Sequence, residues 1–247
     1  MRNLKLLLEY DGTRFAGWQI QPDVRTVQAV IEAALFRLTG DACRVTGASR
    51  TDAGVHALGQ VANFHTSSEH PPEVFHRALN AILPRDVAVM GVEELDEEFN
   101  SRHGARGKLY RYIIHNRGPR SAFDYAYSWY LPVNLDIEAM RDAGNFFTGI
   151  HDFSSFRASS CDASSPIREI YNVDIRATGN SAIRIEIDGS GFLKQMVRTM
   201  VGTLVSIGQG KLQPKQVSGI IEARDRRLAG ATAPAKGLFL VRVDYER

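Results

Sequence analysis

Gly47-Ala48-Ser49-Arg50-Thr51-Asp52-Ala53-Gly54-Val55-His56-Ala57 sets one carboxylate among small residues, between two apolar segments. Upstream lies the short run Cys43 to Val45, and downstream the strand-like Gly59-Gln60-Val61-Ala62-Asn63-Phe64. Glycine accepts positive φ and lets backbones approach closely, so this composition predicts a tight loop able to hold a side chain against a ligand. Asp52 is the only carboxylate between Asp41 and Glu69, and Arg50 stands two residues before it. A nearby guanidinium favours the charged form of a carboxylate. A single carboxylate on a rigid loop suits nucleophilic work better than two-carboxylate acid/base chemistry. The same residues also suit a plain turn, with Asp52 bonding its own backbone or capping a short helix and Arg50 as its surface partner.

Outward from this loop, the first half alternates. Residues 3–10 read as a buried strand ending in the turn pair Asp11-Gly12. The loop from Thr13 to Pro22 holds Arg14, Phe15, Trp18 and Gln19, a set rich enough to be either functional or a packing loop. Val27, Val30, Ile31, Ala34, Leu35 and Leu38 have the spacing of an amphipathic helix that Gly40 ends. After the strand Val61 to Phe64, Pro72-Glu73-Val74 opens a helix with apolar positions Val74, Phe75, Ala78, Leu79 and Ile82, stopped by Pro84. Val87 to Val92 reads as a strand.

Residues 101–108 look like a crossover, after which the alternation repeats. Tyr110 to His115 reads as a strand, and Ile137, Met140, Gly144 and Phe147 mark a helix ending near Gly149. Phe153 to Pro166 is polar and Ser-rich, hence a loop. Ile170 to Ile175 is a strand, and Ile183, Ile185 and Ile187 alternate with Arg184, Glu186 and Asp188 in a half-buried one. Gly189-Ser190-Gly191 turns into a helix from Phe192 to about Ile207. Val217, Ile220 and Ile221 mark a last helix, and Leu238 to Val243 a closing strand. The expected fold is α+β: two similar units of antiparallel strands covered by helices, residues 1–105 and 106–247.

The chain has 247 residues, 44% apolar and 23% charged, an ordinary globular balance. No apolar run nears the roughly 18 residues of a membrane helix, and Leu4 to Leu8, broken by Lys5, reads as neither signal peptide nor anchor. Cys43 and Cys161 are far apart, without CxxC spacing, and fit reduced thiols in the cytoplasm. A net charge of +2 says little about partners, but its distribution says more. Between Arg102 and Arg120 stand Arg102, Arg106, Lys108, Arg111, Arg117 and Arg120 with two histidines and no acid. Tyr110 and Tyr112 interleave with them. Aromatic faces stack bases while arginine takes phosphate, so the block suits a nucleic-acid surface; a solvated loop is the plain alternative. There is no HExxH, and His65, His70 and His76 are spaced too widely for a helical metal pair. GxxxxGK[ST], GxGxxG and a nucleophile-elbow motif are absent as well, so no metal and no nucleotide cofactor is expected.

Arg50-Thr51-Asp52-Ala53-Gly54-Val55-His56-Ala57 resembles the signature of the tRNA pseudouridine synthase I (TruA) family. Further matches at Tyr10 to Gln21, Lys108-Leu109-Tyr110, Cys161 to Arg168, Phe192 to Arg198 and Gly237 to Leu240 extend the resemblance over essentially the whole chain. It implies that Asp52 is the nucleophile and that Tyr110 contacts the target uracil. A phenol can stack on an everted base and still offer its hydroxyl, although residue type alone favours a core aromatic at Tyr110. Arg198 lies off the apolar stripe of its helix, so periodicity predicts a solvent-facing side chain; the resemblance instead turns it toward the aspartate. Leu238 is implied as a wall of the base pocket, with a core leucine as the alternative. Arg14, Arg50 and the basic block would hold the RNA backbone. The resemblance further implies a central RNA-binding cleft between the two units, a homodimer, and action on uridines 38, 39 and 40 of the tRNA anticodon stem-loop. The reaction would break N1–C1′, turn the uracil and join C5 to C1′, with Asp52 attacking either the ribose C1′ or the uracil C6. A non-catalytic RNA-binding module and a carboxylate-dependent hydrolase are the competing readings.

Overall fold

Burial with a period of two defines the first strand. In β1 (Arg2–Tyr10) Leu4, Leu6, Leu8 and Tyr10 are buried, whereas Leu7 and Glu9 between them are exposed. The structure, a computed structural model, describes residues 1–116, 119–179 and 181–246. It divides into two units, Met1–Arg106 with Leu240–Arg247, and Gly107–Phe239.

In the first unit β1 is followed by α1 (Val27–Thr39), β2 (Thr46–Gly47), β3 (His56–Thr66), α2 (Pro72–Ile82) and β4 (Val87–Leu95). α1 begins at Thr26, whose side chain accepts from the Ala29 N–H, and stops at Gly40 with φ 77°. That left-handed conformation costs glycine nothing, which is why the helix ends there. Val27, Ile31, Ala34 and Leu35 are its buried face. Pro72 sits in the first turn of α2, where its missing N–H is no loss. Phe75 and Leu79 are buried, with Phe75 packed 5.7 Å from the ring of Phe64 on β3. β1 pairs antiparallel with β3 on one side (Leu6 opposite Ala62) and with β4 on the other (Leu6 opposite Val92). β2 adds a short antiparallel contact to β3.

The second unit comprises β5 (Gly107–His115), β6 (Trp129–Tyr130), α3 (Ile137–Asn145), β7 (Gly149–Asp152), β8 (Ile167–Thr178), β9 (Ala182–Gly189), α4 (Met196–Gly208) and α5 (Gln216–Ala223). Its sheet runs β5-β9-β8-β7 with antiparallel pairing, and β6 joins β5 in parallel. The alternation in β9 places Ile183, Ile185 and Ile187 on the buried face. α3 covers that face: the Gly144 backbone approaches Val173 and Ile175, which lie opposite Ile187 and Ile185. On the other face Arg111 donates to Glu186 at 2.8 Å. The last strand, β10 (Leu238–Asp244), belongs to the first unit from Leu240 onward, where it lies beside β3. A Cβ on Gly59 would stand 2.3 Å from the Val241 carbonyl oxygen, so the two backbones meet closely.

The closing segment Leu240–Arg247 groups with the first unit, where β10 lies beside β3. Three sequence expectations are corrected. α4 starts at Met196 and not at Phe192, since Gln195 adopts φ 62° and interrupts the helical path. The expected loop from Phe153 contains a helical turn, Ser154–Phe156, that buries Phe153 and Phe156 completely. His56 and Ala57, read as loop, open β3. Arg117 lies outside the described residues. No helix among the described residues is long and apolar enough to cross a membrane.

Candidate active site

The loop carrying Asp52 is held by backbone contacts on both flanks. On one side, Trp18 N–H donates to Thr51 O at 3.1 Å and Gly54 N–H to Phe15 O at 3.2 Å. The Tyr10 and Thr51 hydroxyls meet at 2.8 Å. On the other side, buried Gln60 takes the Ser49 backbone as an amide clamp, donating to Ser49 O at 2.6 Å and accepting from Ser49 N–H at 3.2 Å. Ala48 N–H donates to Val61 O at 2.8 Å. The turn itself closes through Val55 N–H to Asp52 O at 3.1 Å, with Gly54 at φ 76°. Nδ1 of buried His56 lies 3.1 Å from both the Gly12 N–H and Asp11 Oδ1, tying the end of the motif to the end of β1 whichever tautomer it holds. A loop this thoroughly bonded keeps its backbone in one conformation, which fixes where each Cα–Cβ bond points. Within it Asp52 is half-buried and Arg50 exposed. Arg14 is exposed in the helical turn Gly12–Arg14, and the next residue, Phe15, accepts the bond from Gly54. The structure therefore sets Arg14, Arg50 and Asp52 on adjoining loops of one unit.

The outer rim of that brace is an ion pair. Arg25 donates to Asp86 from both terminal guanidinium nitrogens, at 2.7 and 2.8 Å, and its Cζ lies 4.1 Å over the Phe15 ring. The Arg25 hydrogen bonds hold the Asp86 carboxyl below the usual carboxylate range. A carboxylate whose folded pKa is depressed stabilises the fold above its unfolded pKa, about 3.9, and that contribution is lost as pH falls through the folded value. Since the pair is partly exposed, Asp86→Asn is expected to cost about 1 kcal/mol at pH 7. Urea midpoints of variant and parent should differ at pH 7 and converge only as pH falls below the depressed folded value of Asp86; a gap that persists below it would assign the loss to packing instead.

Tyr110, Arg198 and Leu238 lie in the second unit. Tyr110 on β5 is 5% exposed and meets the Phe192 ring edge-on at 5.2 Å. Arg198 stands in the first turn of α4, half-buried, against the solvent-facing position that periodicity predicts. Its Nε donates to Ala233 O at 2.7 Å, and Ala233 N–H returns a bond to Arg198 O at 3.1 Å. Leu238 is buried, following Gly237, whose backbone abuts the Tyr112 ring. Tyr112, read above as an aromatic interleaved in a basic nucleic-acid surface, is instead a core residue. It is fully buried, its hydroxyl donates to Pro234 O at 2.8 Å, and burial pushes its phenol far up while the Arg198 charge pulls it down. Strand β5, Arg198 and the 233–238 segment thus converge on one phenol. The available signal was Tyr112 standing two residues from Tyr110, hence on the same face of the strand.

The model of the family described as tRNA pseudouridine synthase matches residues 7–102 and 143–246. The chain belongs to that family. Relatives named tRNA pseudouridine synthase A are similar over full length: those of Ruminiclostridium cellulolyticum and Geotalea daltonii are each 46% identical over 99% of this chain and 100% of theirs. The Acetivibrio thermocellus protein is 47% identical with the same coverage. Membership makes the chain an isomerase of the pseudouridine synthase kind. The family-model match takes in Arg14, Arg50, Asp52, Arg198 and Leu238, while Tyr110 falls between its two blocks. Residues 103–142, which that match leaves out, include β5 and the aromatic segment from Phe123 to Tyr130.

Proposed function

We propose that this chain converts uridine to pseudouridine at positions 38, 39 and 40 of the tRNA anticodon stem-loop, with Asp52 as nucleophile. The observation that carries the reading is the full-length similarity to proteins named tRNA pseudouridine synthase A, in a chain whose Arg50–Ala57 motif forms a doubly braced loop. In this reading the two units line a cleft that receives the everted uridine, extruded at a cost of a few kcal/mol. Tyr110 stacks the base, Leu238 walls the pocket, and Arg198 pairs with Asp52. Arg50, Arg14 and the basic residues before and within β5 hold the phosphates. Asp52 attacks C1′, displacing uracil N1, or adds to C6 before the N1–C1′ bond breaks; the uracil then turns and C5 joins C1′. The bond to Asp52 breaks in turn, returning the carboxylate, while the C5 proton leaves to solvent and N1 takes one up. Substrate and product are isomers, so the chemistry needs neither a redox partner nor an energy source. The enzyme works as a homodimer in the cytoplasm, without a cofactor.

The test uses tRNA transcripts carrying tritium at uracil C5. The wild-type chain is expected to release tritium, and carbodiimide-directed primer extension is expected to stop at positions 38 to 40. Tritium release with stops elsewhere in the tRNA overturns the assigned positions. No release, with tRNA still bound, would make the chain a binding module. Free uracil or a cut strand would make it a hydrolase.

A further inference from the structure

The second unit holds a cavity of about 260 Å³ whose lining includes neither Tyr110 nor Arg198 but Ile113, His115, Asp124, Tyr127, Ser128 and Phe239 among others. Its size is just below the usual range for small-molecule sites, enough for one ring system and too small for a whole nucleotide. The Tyr127 and Phe239 rings stand 6.5 Å apart at 40°, an aromatic wall that a planar guest can extend by stacking. His115 is 3% exposed, and its Nε2 meets no protein donor or acceptor among the described residues. That nitrogen is closed off from the cavity, so the polar character of the lining comes from other groups. Two lining groups accept: the Asp124 carboxylate, 3.9 Å from His115 Nδ1, and Ser128 Oγ, whose proton goes to Asp124 O at 2.7 Å. A carboxylate repels phosphate and suits the N–H groups of a base.

We infer that this cavity binds an unpaired, amine-bearing base of the RNA substrate, distinct from the uridine that reacts. The inference rests on the tRNA reading above. Uracil presents two carbonyl oxygens and a single N–H, a poor match for a site rich in acceptors; adenine, cytosine or guanine offers an exocyclic amine. The segment beside the cavity is suited to RNA as well. Phe123, Tyr125 and Tyr127 are all exposed, and the Lys236 ammonium, bonded to Tyr125 O at 2.6 Å, brings a positive charge alongside. Exposed aromatics with nearby cations are how proteins hold single-stranded nucleotides. Ser121 Oγ accepts from the Phe123 and Asp124 N–H groups, so the segment is shaped before anything binds. The site would position the tRNA and take no part in the bond changes.

The experiment measures equilibrium binding of fluorescein-labelled tRNA transcript, which requires no catalysis. Tyr127→Ala is expected to weaken binding about tenfold, and Tyr127→Phe, which keeps the ring, to stay within twofold of the parent. A series of transcripts, each abasic at one unpaired adenine, cytosine or guanine, should contain one that binds the parent about tenfold more weakly. That transcript should bind Tyr127→Ala no more weakly than intact tRNA does, since the contact is already gone. Binding within twofold for Tyr127→Ala, or losses that multiply at every abasic position, overturns the inference. A change in sedimentation of Tyr127→Ala without a change in affinity would assign the patch to a contact between copies of the chain and overturn it too. Tritium release by the parent judges the isomerase reading separately, so a chain that binds in this pattern but releases nothing would sink that reading alone.

Discussion

Asp52→Asn is expected to lose on the order of 10³-fold or more in turnover while binding tRNA within about twofold of the parent. The substitution keeps the volume and shape of the side chain. The bonds that hold its loop are made by the Thr51 and Asp52 carbonyls, the Ser49 backbone and the Gly54 and Val55 N–H groups, none of which the change removes. Asp52 is half-buried, so an amide there has access to water for any bond it loses. What disappears is the anionic oxygen that attacks, and no neighbouring residue on the loop supplies another carboxylate. Single-turnover tritium release and filter binding measure the two quantities. Release near the parental rate would refute the nucleophile assignment outright, whereas a parallel loss of binding would recast Asp52 as an RNA contact. Asp52→Glu sharpens the result. It retains the charge but moves it by about one methylene, and misplacement of that order costs about 10²-fold when position governs the rate.

Elements whose signal is local were legible in the chain. The isoleucine alternation of β9 and the stripe of α1 appear as read, because a strand or helix that buries one face must repeat at its own period. Features that depend on distant partners were not. Phe153 and Phe156 sit in a Ser-rich run that looks like loop, yet both rings are buried and Ser155 Oγ donates to Ile220 O at 2.5 Å on α5. Gln195 shows no sign in sequence of its positive φ, which shifts the start of α4 and with it puts Arg198 in the first turn. Two-residue strands such as β2 and β6 have no period to detect. The site divides in the same way. Asp52 and Arg50 stood out because the motif is contiguous. Gln60, Tyr10 and Tyr112 are ordinary strand residues whose roles arise from pairing and packing: Tyr10 meets Thr51 from β1, and Tyr112 meets Pro234 from β5.

The second large effect is expected at Trp18, on which the bracing of the loop depends. Its ring is 2% exposed and stands so close to the Gly47 backbone that a Cβ there would lie 2.4 Å from Cε2. Its N–H holds Thr51 O, its carbonyl accepts from Gln28 N–H on α1, and its ring is 6.2 Å from Tyr10. Removing the ring in Trp18→Ala should cost about 3–5 kcal/mol and leave a void under Gly47. Gly47→Ala attacks the same contact from the other side and should cost about 1–3 kcal/mol by overpacking. Both changes displace the strand end that leads to Asp52, so each is expected to lower turnover by about tenfold or more, as an ångström of misplacement would. A double-mutant cycle separates shape from general damage. Trp18→Phe makes room for a methyl at residue 47, so in the combined Gly47→Ala/Trp18→Phe variant the two costs should fall short of their sum by about 1 kcal/mol in urea unfolding. Strict additivity would mean that ring and glycine do not hold each other in place, and the geometry of the Asp52 loop would then need a different support.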